Sequence, residues 1–184
     1  LVVPILWDFG RFNVASVDRT YFLDDRTKSP QSVNVIDYYT TKNWKLSVKQ
    51  LGQFKGSVVT KYPSTGKIVT KDYYLDNAQM HLNNGNVTLT DNDSVAEANK
   101  GNITTFGDQT LDPNATQPTE LMTTNFAGGE SNGKYATHGF GVWHYNFGDK
   151  NTADHSIGLH IPQTTKRQKT EYKTKLEWTL TVAE

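Results

Sequence analysis

The chain has 184 residues, a length that suits one all-β domain, and its 19 basic and 19 acidic side chains cancel, which removes the long-range field that would steer a nucleic acid. Hydrophobic residues reach only 35%, yet 9 Tyr, 8 Phe and 4 Trp bury large areas each, so a β-rich core fits and disorder does not. Cysteine is absent, which excludes disulfides, cysteine nucleophiles and thiolate metal sites.

The start, Leu1 to Leu6, is apolar without a basic flank or cleavage site, as in a mature or trimmed chain, and no apolar run nears the roughly 18 residues needed to span a bilayer. Residues 33–39 are β-branched and aromatic, and Thr40 to Asn43 separate them from the next run, which suggests two strands joined by a short turn. In Trp44-Lys45-Leu46-Ser47-Val48-Lys49 the apolar residues alternate with polar ones, the period-2 pattern of a half-buried strand. Residues 58–62 and 67–74 flank Pro63-Ser64-Thr65-Gly66 and read as a hairpin. A second hairpin is expected where Asn83-Asn84-Gly85 separates residues 80–82 from 87–89, because Asn-Gly supplies positive-φ positions.

One short helix is expected, with Ser94 and Glu97 at capping-box spacing and Gly101 at its end. Residues 107–134 are dense in Pro, Gly, Asn and Asp and read as a long, loop-rich surface insertion within a single domain spanning 1–184. Strands return at 142–147 and 157–161. In the last run, 172–182, Tyr172, Thr174, Leu176, Trp178, Leu180 and Val182 share one face. Many short strands without βαβ alternation predict an all-β fold, an antiparallel β-sandwich or partly closed Greek-key barrel with one short helix and long loops.

Taken together, Leu6-Trp7-Asp8-Phe9-Gly10, the first Trp44-Lys45-Leu46, Gly139-Phe140-Gly141-Val142-Trp143, the run from Ile157 to Pro162, and the terminal Tyr172-x-x-x-Leu176-x-Trp178-Thr179-Leu180 resemble the WxL domain of Gram-positive surface proteins. The match covers the whole chain in order. The resemblance implies non-covalent attachment to the cell wall through peptidoglycan or associated anionic wall polymers, beside co-encoded surface proteins, and therefore an extracellular, cell-surface location.

Trp44, Leu46, Trp178 and Leu180 form the paired signature, and since each tryptophan shares a strand face with aliphatic residues, core packing is favoured over ligand contact. For stacking on a sugar, Trp7 and Trp143 are the better candidates. Lys166, Arg167 and Lys169 are candidates for pairing with anionic polymers, set against a plain solvated loop. The five histidines show no metal-ligand spacing, and Asp91-Asn92-Asp93-Ser94 lacks the glycine and distal glutamate of a calcium loop, so no metal or cofactor is expected. Nucleophile elbow, metal triad and phosphate loop are absent, which argues against an enzyme; a facing carboxylate pair would be needed for a glycoside hydrolase. The alternative to direct wall binding is a protein-interaction module docked on a partner surface protein, which an exposed apolar patch or an unpaired strand edge would favour.

Overall fold

A computed structural model describes residues 1–14, 17–23, 31–37, 43–90, 100–125 and 141–182. Among them are thirteen strands: β1 (Arg19–Phe22), β2 (Gln31–Asp37), β3 (Trp44–Gln50), β4 (Lys55–Lys61), β5 (Ile68–Tyr74), β6 (Gln79–Leu82), β7 (Gly85–Leu89), β8 (Ile103–Thr105), β9 (Gln109–Leu111), β10 (Thr119–Thr124), β11 (Gly141–Phe147), β12 (Ile157–Ile161) and β13 (Leu176–Val182). Two 3-10 turns, Lys100–Asn102 and Ala153–His155, are the helical elements. The expected helix from Ser94 and the calcium-like run from Asp91 lie outside the described residues.

The strands form antiparallel sheets in the orders β1-β12-β6-β9, β13-β3-β10-β8, β2-β11-β7 and the pair β4-β5. Among the described residues the fold is all-β, with no closed barrel, and is consistent with a β-sandwich. One hydrophobic cluster draws side chains from the three larger sheets, including Tyr21, Val33, Leu46, Met80, Leu121, Trp143, Tyr145 and Leu159. Alternation explains most of these placements. In β11, Trp143, Tyr145 and Phe147 are buried while His144 and Asn146 lie on the opposite, half-exposed face.

Local pairing departs from the sequence in three places. Neither 33–39 with 44–49 nor 80–82 with 87–89 forms a hairpin: β2 pairs with β11, β3 with β10 and β13, β6 with β12 and β9, and β7 with β11. Asn84 does take a positive φ of 56°, but the turn carries the chain from one sheet to another. The Asn84 amide donates to Asp108 Oδ1 (2.9 Å) and the Asn83 amide to the Ser156 carbonyl (2.7 Å), so tertiary partners replace the hairpin rung. The loop reading of 107–134 is also corrected over its first half. There β9 and β10 are laid down, and β10 sits between β3 and β8. Alternation was obscured in β10 by a bulge between Glu120 and Met122 that turns both Leu121 and Met122 into the core. Residues 126–134 lie outside the described residues. The hairpin of residues 55–74 is as expected, closed by the Gly66 amide on the Tyr62 carbonyl (2.8 Å) with Gly66 at φ 68°.

Burial, then the Asp108 carboxylate, pushes the Tyr145 phenol up to about 12. An unfolded tyrosine ionises near pH 10, so this group's contribution is complete below about pH 10 and is lost as the pH rises through its folded value. Urea unfolding between about pH 9 and 12 is therefore expected to show an alkaline loss of stability that is shallower in Tyr145→Phe. Equal slopes in the two proteins would contradict this assignment.

Candidate functional site

The two signature strands are neighbours. β13 pairs antiparallel with β3 so that Leu180 stands opposite Leu46, Trp178 opposite Val48, and Val182 opposite Trp44. The inner copy is sealed, with Trp44 and Leu46 buried, whereas Trp178 and Leu180, on the edge strand, are half-buried. Trp178 is covered by an aromatic chain. Trp7 packs edge-on against Trp178 (5.8 Å between ring centroids) and against Phe147 (5.4 Å), and Phe147 meets Tyr145 at 5.2 Å. Next to Trp7, Asp8 accepts the Gly10 amide (2.8 Å), and Gly10 takes φ 86°, so the Asp8-Phe9-Gly10 turn fixes the direction in which the N-terminal segment arrives. The first and last sequence motifs thus meet on one aromatic seam.

This arrangement relocates the residues expected to touch ligand. Trp143 is 0% exposed, so it has no face to offer a sugar; it lies on the inward side of β11, and the expectation for it is corrected on that ground. Trp7 is half-buried and its edges are used against Phe147 and Trp178. Arg167 turns inward. Its Nη2 donates to the carbonyls of Val17 (2.6 Å), Ile161 (3.1 Å) and Pro162 (3.0 Å), tying the loop after β12 to the segment before β1, a structural clamp where an anion contact was expected. Lys166 and Lys169 are exposed on either side of it.

A polar surface lies on the reverse of β11, opposite its inward aromatics. The register of β2-β11-β7 sets Asn34, His144 and Thr88 in one row and Ser32, Asn146 and Asn86 in the next. Asn34 Oδ1 is 2.7 Å from His144 Nδ1, the other ring nitrogen meets the Thr90 hydroxyl, and Asn146 Nδ2 donates to Thr88 Oγ1 (2.9 Å) and Asn86 Oδ1 (3.2 Å). Asn86 Nδ2 in turn donates to the Gly148 carbonyl at 2.9 Å. These side chains are held in place by one another. None of them is an acid, lysine or arginine, so the patch presents oriented amide and hydroxyl groups without a net field. The available signal was the alternation itself, since His144 and Asn146 oppose three inward aromatics.

Among the described residues no group of three or more His, Cys, Asp or Glu is placed to hold a metal ion, and His138 lies outside them. No described helix is long and apolar enough to cross a membrane. No curated protein and no solved structure matches the chain. A family model does match it, over residues 2–183, and is described as a WxL domain, surface cell wall-binding. With both signature strands paired in one sheet and the match spanning nearly every residue, the chain belongs to the WxL family of surface cell wall-binding domains, a binding family and not an enzyme family.

Proposed function

We propose that this domain holds its parent protein to the outside of the cell wall by binding the glycan of peptidoglycan directly, without covalent linkage. The observation that carries this reading is the uncharged, pre-oriented amide and hydroxyl face of β2-β11-β7. A neutral polysaccharide offers hydroxyl and amide groups at regular spacing, and a fixed grid of side-chain donors and acceptors meets them with little loss of rotamer freedom. A polyanion would call for a basic patch. Arg167 is committed to backbone carbonyls, which leaves Lys166 and Lys169 of the basic run for such a ligand.

The test is retention on purified sacculi. The domain is expected to co-sediment and to survive washing at moderate salt, because neutral contacts are weakly screened. Replacing Asn34 and Asn146 together by alanine should lower retention per folded molecule about tenfold or more, while the lost bonds to His144, Thr88 and Asn86 cost stability of about 1 kcal/mol each, which urea unfolding of the same variant measures separately. Full retention by that variant would remove this face from the reading.

Docking on a partner surface protein is favoured by one separate observation. The hairpin of β4 and β5 carries exposed Val59, Tyr62 and Ile68, and no described strand covers the outer edge of β5. Sedimentation with sacculi in the presence and absence of the co-encoded surface proteins separates the two readings. Retention that appears only with a partner, and is lost in Val59→Lys/Ile68→Lys, assigns the wall contact to that partner.

A further inference from the structure

The sheet β1-β12-β6-β9 has an outward face of unusual composition. Inward go Tyr21, Met80, Leu82, Leu111, Ile157 and Leu159, all buried. On the other side the register aligns Phe22, Gly158, His81 and Thr110 across the four strands, with Thr20, His160 and Gln79 in the adjoining row. No lysine or arginine stands in these two rows.

Phe22 is 40% exposed, high for a phenyl ring on a sheet. Its ring leans over Gly158: a Cβ built on that glycine would lie 3.1 Å from Phe22 Cε1 and 2.9 Å from Thr20 Cγ2. Glycine therefore provides the saddle that lets the ring lie down on the sheet. Cover for a strand glycine is a sufficient structural reason for an aromatic neighbour. It does not account for what surrounds the ring.

Three imidazoles border this platform, and each is oriented by a second group through one nitrogen. His81 Nδ1 is 2.9 Å from Thr110 Oγ1, His160 Nε2 is 2.9 Å from Asp18 Oδ1, and His155 Nδ1 is 2.6 Å from Asp154 Oδ1. The other ring nitrogen of each has no hydrogen-bond partner among the described residues. His155 meets Phe22 edge-on at 6.4 Å, and His81 and His160 lie 6.2 Å apart. Phe22 and His81 are two strands apart, about 9–10 Å at the usual strand spacing. Burial, and then His160, push the His81 imidazole below its ordinary value, so at neutral pH it is uncharged and presents either a donor or an acceptor.

We propose that this face is a saccharide-binding site, in which one pyranose stacks on the open side of Phe22 and the free imidazole nitrogens bond hydroxyl groups of that ring and of the next. An apolar aromatic plane ringed by imidazoles held in place by Thr110, Asp18 and Asp154 is the chemistry that recognises a sugar, whose C–H face is apolar and whose rim is polar. The site rests on the wall-glycan reading and adds to it a contact distinct from the β2-β11-β7 grid. Two weak contacts on one rigid domain raise retention on a polymeric wall well beyond either alone.

The probe is a soluble β-1,4-linked N-acetylglucosamine tetrasaccharide titrated into the whole domain and followed by NMR. Expected are shifts at the Gly158 and Thr20 amides and at the ring protons of His81, His155 and His160. Phe22→Leu keeps an apolar cover over Gly158 without the aromatic plane and should weaken binding about five- to tenfold. Phe22→Trp should bind at least as tightly as the native domain. Unchanged affinity in Phe22→Leu, or shifts confined to Asn34, His144 and Asn146, would overturn the site while leaving wall binding intact. A native domain that fails to sediment with sacculi yet shows the Phe22-dependent shifts would overturn the wall reading and retain the site.

Discussion

Trp143→Ala is expected to cost about 3–5 kcal/mol of folding stability, the usual penalty for emptying a fully buried aromatic site. The side chain is 0% exposed and stands in the central strand of its sheet, opposite Val35 on one side and Leu89 on the other. Domains of this kind are held by about 5–15 kcal/mol, so the variant should unfold at much lower urea concentration or fail to accumulate. Trp178→Ala removes a half-buried ring from an edge strand and should cost less. Chemical denaturation of both variants, with sacculus retention measured per folded molecule, checks the ordering. A Trp143→Ala domain as stable as the native one but unable to bind would show that this tryptophan meets ligand after all.

What the sequence made legible here was period and what it hid was pairing. Alternation at 44–49, 142–147 and 176–182 identified strands and their inward faces, because a buried face selects apolar residues every second position. Which strands become neighbours is decided by contacts remote in the chain. Trp44 and Trp178 are 134 positions apart, and their sheet is completed by β10, drawn from a stretch read as loop. The signs for a loop were real, since Asp112 Oδ1 accepts the Asn114 amide (2.8 Å) in a turn between β9 and β10, but turns punctuate strands as readily as they replace them. Arg167 shows the same limit for function: in a basic run it looks like an anion contact, and only the positions of three carbonyls reveal a clamp.

The family signature now has a physical role. Leu46 and Leu180 face each other across a rung, and the N-terminal Trp7 closes over Trp178, so the paired signature brings the two ends of the chain together at one sheet. Binding is then left to the outward faces. Both polar faces are backs of strands whose other sides pack on the core cluster, which fixes their side chains on a rigid support and lowers the ordering cost of binding.

Gly85→Ala is the second large effect expected, about 1–3 kcal/mol of destabilisation from overpacking. By sequence Gly85 looked like a turn glycine needed for positive φ, yet Asn84 carries that conformation at 56°. The need for glycine at 85 is space: an added methyl would run into the Tyr145 hydroxyl and come within 2.7 Å of its Cζ. Tyr145 is 1% exposed and packed against Phe147, so its ring cannot swing aside freely. Tyr145→Phe removes the nearest atom but keeps the ring, and should recover part of the loss in the double variant. Thermal unfolding of the four proteins in a double-mutant cycle should give a coupling of about 0.5–3 kcal/mol between the two positions. Strict additivity would place the strain of Gly85→Ala in the Asn84-Gly85 turn, and the close packing of Tyr145 over Gly85 would then not be what keeps this position a glycine.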